Sequence, residues 1–141
     1  TGRLKNLFKT SLGKYINPDV IEGKFAESGF IENIVVLGEN QKHAGAIIVP
    51  DFAFLKTWCQ KHEINYTTPK EMINNEAVKR RYAEEVKKIN QNFGDTEKIK
   101  RYELIADEWS VNNGILTPTL KVKRNVVKEA YKDLIEMMYK D

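Results

Sequence analysis

Leu116-Thr117-Pro118-Thr119-Leu120-Lys121-Val122-Lys123-Arg124 lies just before the last amphipathic run of the chain and joins a proline-stiffened turn to three cations in four residues. Pro118 fixes its own φ and pushes Thr117 toward an extended conformation, so the backbone is set before the lysines arrive. Asn125 is a good N-cap for the final segment, where Val127, Ala130, Tyr131, Leu134, Ile135 and Met138 recur at helical spacing. Lys121 and Lys123 thus fall on a short connection anchored at both ends, which is how a chain holds a cation over something anionic. A lone Lys-x-Lys-Arg, by contrast, reads as a solvated basic loop.

The rest of the chain reads as a small α+β domain. Leu7-Phe8-Lys9-Thr10 and Lys14-Tyr15-Ile16-Asn17 flank Ser11-Leu12-Gly13, a tight hairpin loop in which Gly13 can take φ > 0. Asn17 and Pro18 open a helix as N-cap and first helical residue, with Val20, Ile21, Phe25 and Ala26 inward and Gly29 as its stop. Residues 30–37 and 44–49 are β-rich runs joined by a polar turn, and the unbroken Ile47-Ile48-Val49 suggests a central strand covered on both faces. Asp51 caps a helix reaching about His62. Thr68-Pro69-Lys70-Glu71 is a capping box, and a longer helix runs from about Asn75 to Phe93, with Gly94 as its end. Residues 99–106 alternate as a strand, and Asn112-Asn113-Gly114 signals a turn. No internal repeat is evident. The expected architecture is an N-terminal β-hairpin, then a sheet of about three strands packed with roughly four helices.

Composition narrows the function classes. A chain of 141 residues is one domain by length. Its 41% hydrophobic and 30% charged content is that of a soluble globular protein. The single cysteine, Cys59, cannot form an internal disulfide and fits a reducing, cytoplasmic compartment; its place among Phe52, Leu55 and Trp58 marks a buried structural thiol. No run is long enough to span a membrane, and no signal-peptide pattern opens the chain. His43, at a turn, and His62 have no partners at metal-ligand spacing, so no metal site is expected in this chain. The net charge of +3 is concentrated in residues 79–101, read here as a wet helix face with some i,i+4 pairing. The opening Thr1-Gly2-Arg3 suggests a piece of something longer.

A second stretch changes the reading of the basic loop. Gly2-Arg3-Leu4-Lys5-Asn6, together with Lys9-Thr10-Ser11-Leu12-Gly13-Lys14-Tyr15-Ile16-Asn17-Pro18-Asp19-Val20-Ile21-Glu22 and Leu116 to Arg124, resembles the C-terminal domain of the AMP-forming acyl-CoA synthetases. These belong to the adenylate-forming enzymes. The Leu-Thr-Pro-Thr-Leu-Lys form and the segment from Glu97 to Trp109 look most like the long-chain fatty acyl branch. The resemblance covers essentially the whole chain, residues 1–141, as a mobile lid domain that begins at the inter-domain hinge.

That resemblance implies an ATP-dependent long-chain fatty acid–CoA ligase. Its partners would be its own large N-terminal domain, which this chain lacks, and its substrates fatty acid, ATP and CoA. ATP and Mg²⁺ would be bound mainly through that other domain, and the chain alone is expected to form no acyl-CoA. By the family's pattern Lys121 is the adenylation lysine, in a slot that reads Gly-Lys in many members and Leu-Lys here. Lys123, two residues on, is the register alternative. Lys5 matches the hinge, Arg3 the ribose contact, and Ser11, Leu12 and Gly13 the loop that meets CoA. Many members have Gly where this chain has Leu12. Glu22 is expected to be architectural. The full-length enzyme would be cytoplasmic and open to peripheral membrane contact, which nothing in these residues indicates.

Two other classes compete. A basic nucleic-acid-binding module would draw on Lys79 to Arg101 and Lys121 to Arg124. Single-strand binders need exposed aromatic platforms beside such charges, whereas Tyr82, Phe93 and Tyr131 occupy apolar helical positions, so no nucleic-acid partner is expected. A noncatalytic interaction module would have a degraded hinge or a missing lysine, and both motifs are intact.

Overall fold

Seven consecutive buried residues, Ala44–Pro50, form the strand on which the domain is built. The computed structural model describes residues 7–140. In chain order β1 (Phe8–Lys9) and β2 (Tyr15–Ile16) precede α1 (Pro18–Phe25), β3 (Ile31–Leu37) and β4 (Ala44–Pro50). They are followed by α2 (Phe52–Lys61), α3 (Pro69–Asn74), α4 (Glu76–Asn90), β5 (Ile99–Leu104), α5 (Arg124–Ala130) and α6 (Lys132–Tyr139). β1 and β2 pair as an antiparallel hairpin. The main sheet has the order β3-β4-β5, antiparallel between β3 and β4 and parallel between β4 and β5. The continuous apolar run is therefore the central strand, as its composition predicts.

Period-2 alternation divides β3 and β4 between two cores. Ile34, Val36, Ala46 and Ile48 face one side, against Ile21 and Phe25 of α1, Leu55 of α2, Met72 of α3 and Tyr82 of α4. Val35, Leu37, Ile47 and Val49 face the other, against Trp109, Ile115, Leu116 and Val127. The basic stretch is thus rooted in a core of its own. Tyr82 is fully buried, and its hydroxyl donates to the Phe30 carbonyl at 2.6 Å. Burial raises its pKa far above the ordinary phenol value. Cys59 is also buried, which raises its thiol pKa. Lys79, Arg80, Lys87 and Lys88 stand on the exposed face of α4.

Several boundaries differ from the sequence reading, each for a local reason. In α1, Val20 and Ala26 are exposed, leaving Ile21 and Phe25 as the inner face. That helix ends at Phe25, tightening through the bonds of Glu27 N–H to Lys24 O and Ser28 N–H to Phe25 O. Gly29 is not its cap; a Cβ there would come within 3.0 Å of the Phe54 ring, so the glycine makes room for that ring. The capping box at α3 closes one residue early, because the Glu71 carboxylate accepts from Thr67 N–H while Thr68 Oγ1 accepts from Glu71 N–H. α4 stops at Asn90, short of Phe93 and Gly94, because the Asn90 side-chain amide pairs with both Ile99 N–H and Ile99 C=O. The last amphipathic run is two helices, with Tyr131 at the break. Asn125 is not its N-cap. Lys123 is, because its N–H is already bonded to the Ile115 carbonyl at 2.8 Å and Arg124 is drawn into the first turn.

Gly45, a glycine inside a strand, carries a packing signal that strand propensity alone does not register. A Cβ at this position would lie 2.6 Å from the Tyr139 hydroxyl and 3.0 Å from the Arg101 carbonyl oxygen. Tyr139 brings the end of α6 onto the sheet, where its hydroxyl lies 3.0 Å from the His43 carbonyl and 3.3 Å from that of Leu37. Gly45→Ala is expected to destabilise the domain by about 1–3 kcal/mol, read as a lower urea midpoint with unchanged slope.

Candidate functional site

The basic stretch folds as a three-residue hairpin loop. Leu116 and Val122 bridge antiparallel, Thr117 N–H donates to Lys121 O at 2.8 Å, and Leu120 N–H donates to Thr117 O at 2.7 Å. Pro118 takes the first turn position, as its fixed φ favours. Leu120 then sits at φ 67, the left-handed slot that closes such loops and that glycine fills most easily. The Thr117 hydroxyl accepts from Lys121 N–H at 3.1 Å and meets the Thr119 hydroxyl at 3.0 Å. Both polar groups of the Lys121 backbone are therefore held by one residue, Thr117.

A leucine in that slot is strained, typically by about 1–2 kcal/mol against the right-handed region. The Leu120 side chain is 66% exposed, so little burial offsets the strain. Leu120→Gly is expected to stabilise the domain by about 0.5–1 kcal/mol, once glycine's larger unfolded-state entropy is deducted. A rise in the urea midpoint checks this.

Arg124 anchors the other end. Its guanidinium lies 2.6 Å from Glu22 Oε2, and its Nε donates to the Val36 carbonyl at 3.2 Å. The same Glu22 oxygen accepts from Val36 N–H at 2.8 Å. Val36 is on the free edge of β3, so this pair takes up both of its outward backbone groups. Glu22 thus braces the edge of β3 and the base of the lysine loop, in keeping with the architectural role that the family resemblance implies. Burial raises its pKa from the ordinary carboxylate value, outweighing the opposing pull of the Arg124 guanidinium and the Val36 bond.

Lys121 and Lys123 are both exposed and border a cleft of about 1330 Å³ between this loop, the start of α1 and the β3–β4 turn. Lys128 and Lys132 bring further positive charge, while Asp19, Glu39 and Glu136 bring negative. Among the described residues, neither Lys121 nor Lys123 has a side-chain hydrogen bond or ion pair, so both ammonium groups face the cleft and solvent. Lys128 is tied to Glu39 at 3.3 Å. Among the described residues no group of three or more His, Cys, Asp or Glu is placed to hold a metal ion, and no helix is long and apolar enough to cross a membrane.

Ser11, Leu12 and Gly13 form the exposed tip of the β1–β2 hairpin. Ser11 N–H donates to Gln41 O and Asn40 N–H to Lys9 O, docking the hairpin on the β3–β4 turn. The tip repeats the geometry of the lysine loop. Lys9 pairs with Tyr15, Thr10 N–H donates to Lys14 O at 2.9 Å, and Gly13 N–H donates to Thr10 O at 3.0 Å. Gly13 has φ 83, and Thr10 Oγ1 accepts from Lys14 N–H at 3.3 Å. Thr10 to Lys14 and Thr117 to Lys121 are one turn built twice, a recurrence that the sequence hides because the left-handed slot holds Gly in one and Leu in the other. Arg3 and Lys5 lie outside the described residues.

The chain matches a family model described as the AMP-binding enzyme C-terminal domain, over residues 6–141. The human long-chain-fatty-acid–CoA ligase 6 is 34% identical over 140 residues, covering 97% of this chain and 20% of that protein. The Arabidopsis thaliana peroxisomal long chain acyl-CoA synthetase 6 is 30% identical over 142 residues, covering 99% of this chain and again 20% of the relative. The adenylation domain of a carboxylate reductase from Mycobacterium chelonae shares the fold, with a TM-score of 0.78 at 20% identity over 99% of this chain and 20% of its own. This chain thus spans about a fifth of the length of the relatives it matches. With a family match over residues 6–141, which takes in both turns and the cleft beside the lysine loop, the chain belongs to the AMP-binding enzyme C-terminal domains.

Proposed function

We propose that this chain is the mobile C-terminal domain of an ATP-dependent long-chain fatty acid–CoA ligase, and that Lys121 is its adenylation cation. The observation that carries the reading is the state of Lys121: backbone fixed at both polar groups, ammonium unpartnered among the described residues, at the edge of a cleft. The long-chain assignment rests on the relatives' names.

Activation of a fatty acid by ATP requires a carboxylate to attack an α-phosphate that is itself negative. The new C–O–P linkage forms as pyrophosphate leaves, and charge builds on the phosphorus oxygens. A compact ammonium placed there reduces the repulsion and stabilises that charge. In the second half-reaction the CoA thiol attacks the acyl adenylate and AMP departs. That step needs Lys121 withdrawn and the loop at Ser11 to Gly13 presented instead. Rotation about a hinge at Lys5 would exchange the two, with Arg3 at the nucleotide ribose. Lys123 remains the alternative cation, since it borders the same cleft. Any Mg²⁺ accompanying ATP would be held by the phosphates and by residues outside this chain. The test measures acid-dependent ATP–pyrophosphate exchange and acyl transfer from supplied acyl adenylate separately, in the full-length enzyme with Lys121 or Lys123 replaced by alanine.

A further inference from the structure

We infer that Thr117 and Thr10 are paired positioning residues, each aiming the loop used in one half-reaction. The inference rests on the proposed two-step function, but its geometry stands apart from it. Both threonines close the same turn with the same three bonds: their N–H to the lysine carbonyl, their carbonyl to the residue with positive φ, and their hydroxyl to the lysine N–H. The hydroxyl bond is the one that the turn does not need in order to close. It fixes the peptide between the left-handed residue and the lysine, which is the peptide that sets where the lysine's Cα–Cβ bond points.

That extra bond matters more in the lysine loop. Gly13 adopts positive φ freely, whereas Leu120 must be held there. With no side-chain partner among the described residues to steer the Lys121 ammonium, its direction follows from its backbone. Thr117 is half-buried and lines the same cleft, but its hydroxyl is taken up by Lys121 N–H and the Thr119 hydroxyl, so its effect on adenylation would pass through Lys121. Thr10 is only 5% exposed, an unusual burial for a hydroxyl at a hairpin tip, and its bond to Lys14 N–H satisfies it there. Through that bond it fixes the shape of the loop at Ser11 to Gly13.

The decisive experiment replaces each threonine with valine, which keeps shape but loses the hydroxyl, and with serine, which keeps the hydroxyl. Both half-reactions are followed in the full-length enzyme. Thr117→Val is expected to lower kcat of ATP–pyrophosphate exchange by up to about 100-fold, with acyl transfer much less affected. Thr10→Val is expected to do the reverse. The serine variants should restore most of each loss. If Lys121→Ala abolishes exchange while both valine variants match wild type, the inference is overturned and the functional reading survives. If each valine variant lowers both half-reactions equally, the threonines are only structural and the inference again falls. If the loss of exchange follows Lys123→Ala instead, the functional reading stands with the cation shifted and the inference about Thr117 falls. If Lys121→Ala and Lys123→Ala both keep full exchange, the functional reading fails and the inference goes with it.

Discussion

Lys121→Ala in the full-length enzyme should lower acid-dependent ATP–pyrophosphate exchange by about 10²–10³-fold while acyl transfer from supplied acyl adenylate continues. The magnitude is that of removing one preorganised donor from developing negative charge, about 3–4 kcal/mol of barrier. The split between the half-reactions is the sharper part of the expectation. A lysine acting only through long-range attraction of anions would affect ATP and CoA alike, since both carry phosphates. A lysine that contacts the α-phosphate in one domain orientation and is withdrawn in the other affects exchange alone. Salt provides a further check, because a steering effect fades with ionic strength and a contact in a closed site largely does not.

Lys123→Ala belongs in the same experiment. The two lysines are separated by Val122, which turns inward toward the second core, so both project on the cleft side. They differ in what holds them. Lys121 is clamped by Thr117 through both backbone polar groups, whereas Lys123 donates its N–H to Ile115 and serves as the N-cap of α5. If the loss of exchange follows Lys123 instead, the mechanism stands with the cation shifted by two residues. Full exchange in both variants would make the loop a basic surface and nothing more.

The parts of this fold that could be read from sequence are those where one local rule decides. Asn17-Pro18 starts α1, with Asn17 Oδ1 accepting from Asp19 N–H, and the apolar run at 44–49 falls in the central strand, Ala44–Pro50. Helix ends were less legible because distant residues set them. Asn90 stops α4 by pairing with Ile99, and Arg124 enters α5 because Glu22, far away in sequence, receives it. The parallel pairing of β4 and β5 also depends on tertiary placement, since alternation marks a strand but not its direction. At the site, the motif pointed to Lys121 but not to the turn that holds it. Leucine gives no sign of a left-handed conformation, and the likeness of residues 10–14 to 117–121 lies in hydrogen bonds.

Arg124→Met should destabilise the domain at neutral pH by about 2–4 kcal/mol. Breaking a fully buried pair from one side typically costs about 3–5 kcal/mol; here the Arg124 and Glu22 side chains remain 21% and 20% exposed, so water recovers part of it. The variant leaves Glu22 buried without its cation and the Val36 carbonyl without its donor. The pH dependence identifies the cause. Burial already holds the folded-state pKa of Glu22 above the ordinary carboxylate value, and Arg124 is the largest influence opposing that rise. Its removal lifts the pKa further. A carboxyl whose folded pKa exceeds its unfolded one contributes stability that is complete below the unfolded value and lost as pH rises through the folded one. The deficit of Arg124→Met relative to wild type should therefore be greatest at pH 7 and shrink as the solution is acidified through the raised Glu22 pKa toward the ordinary carboxylate value. Adding Glu22→Gln should return part of the neutral-pH loss by removing the uncompensated charge. Urea titrations of the three proteins at both ends of this window make the comparison. An equal deficit at both pH values would mean that Arg124 acts through the packing of its stem, and that the base of the lysine loop is held without the ion pair.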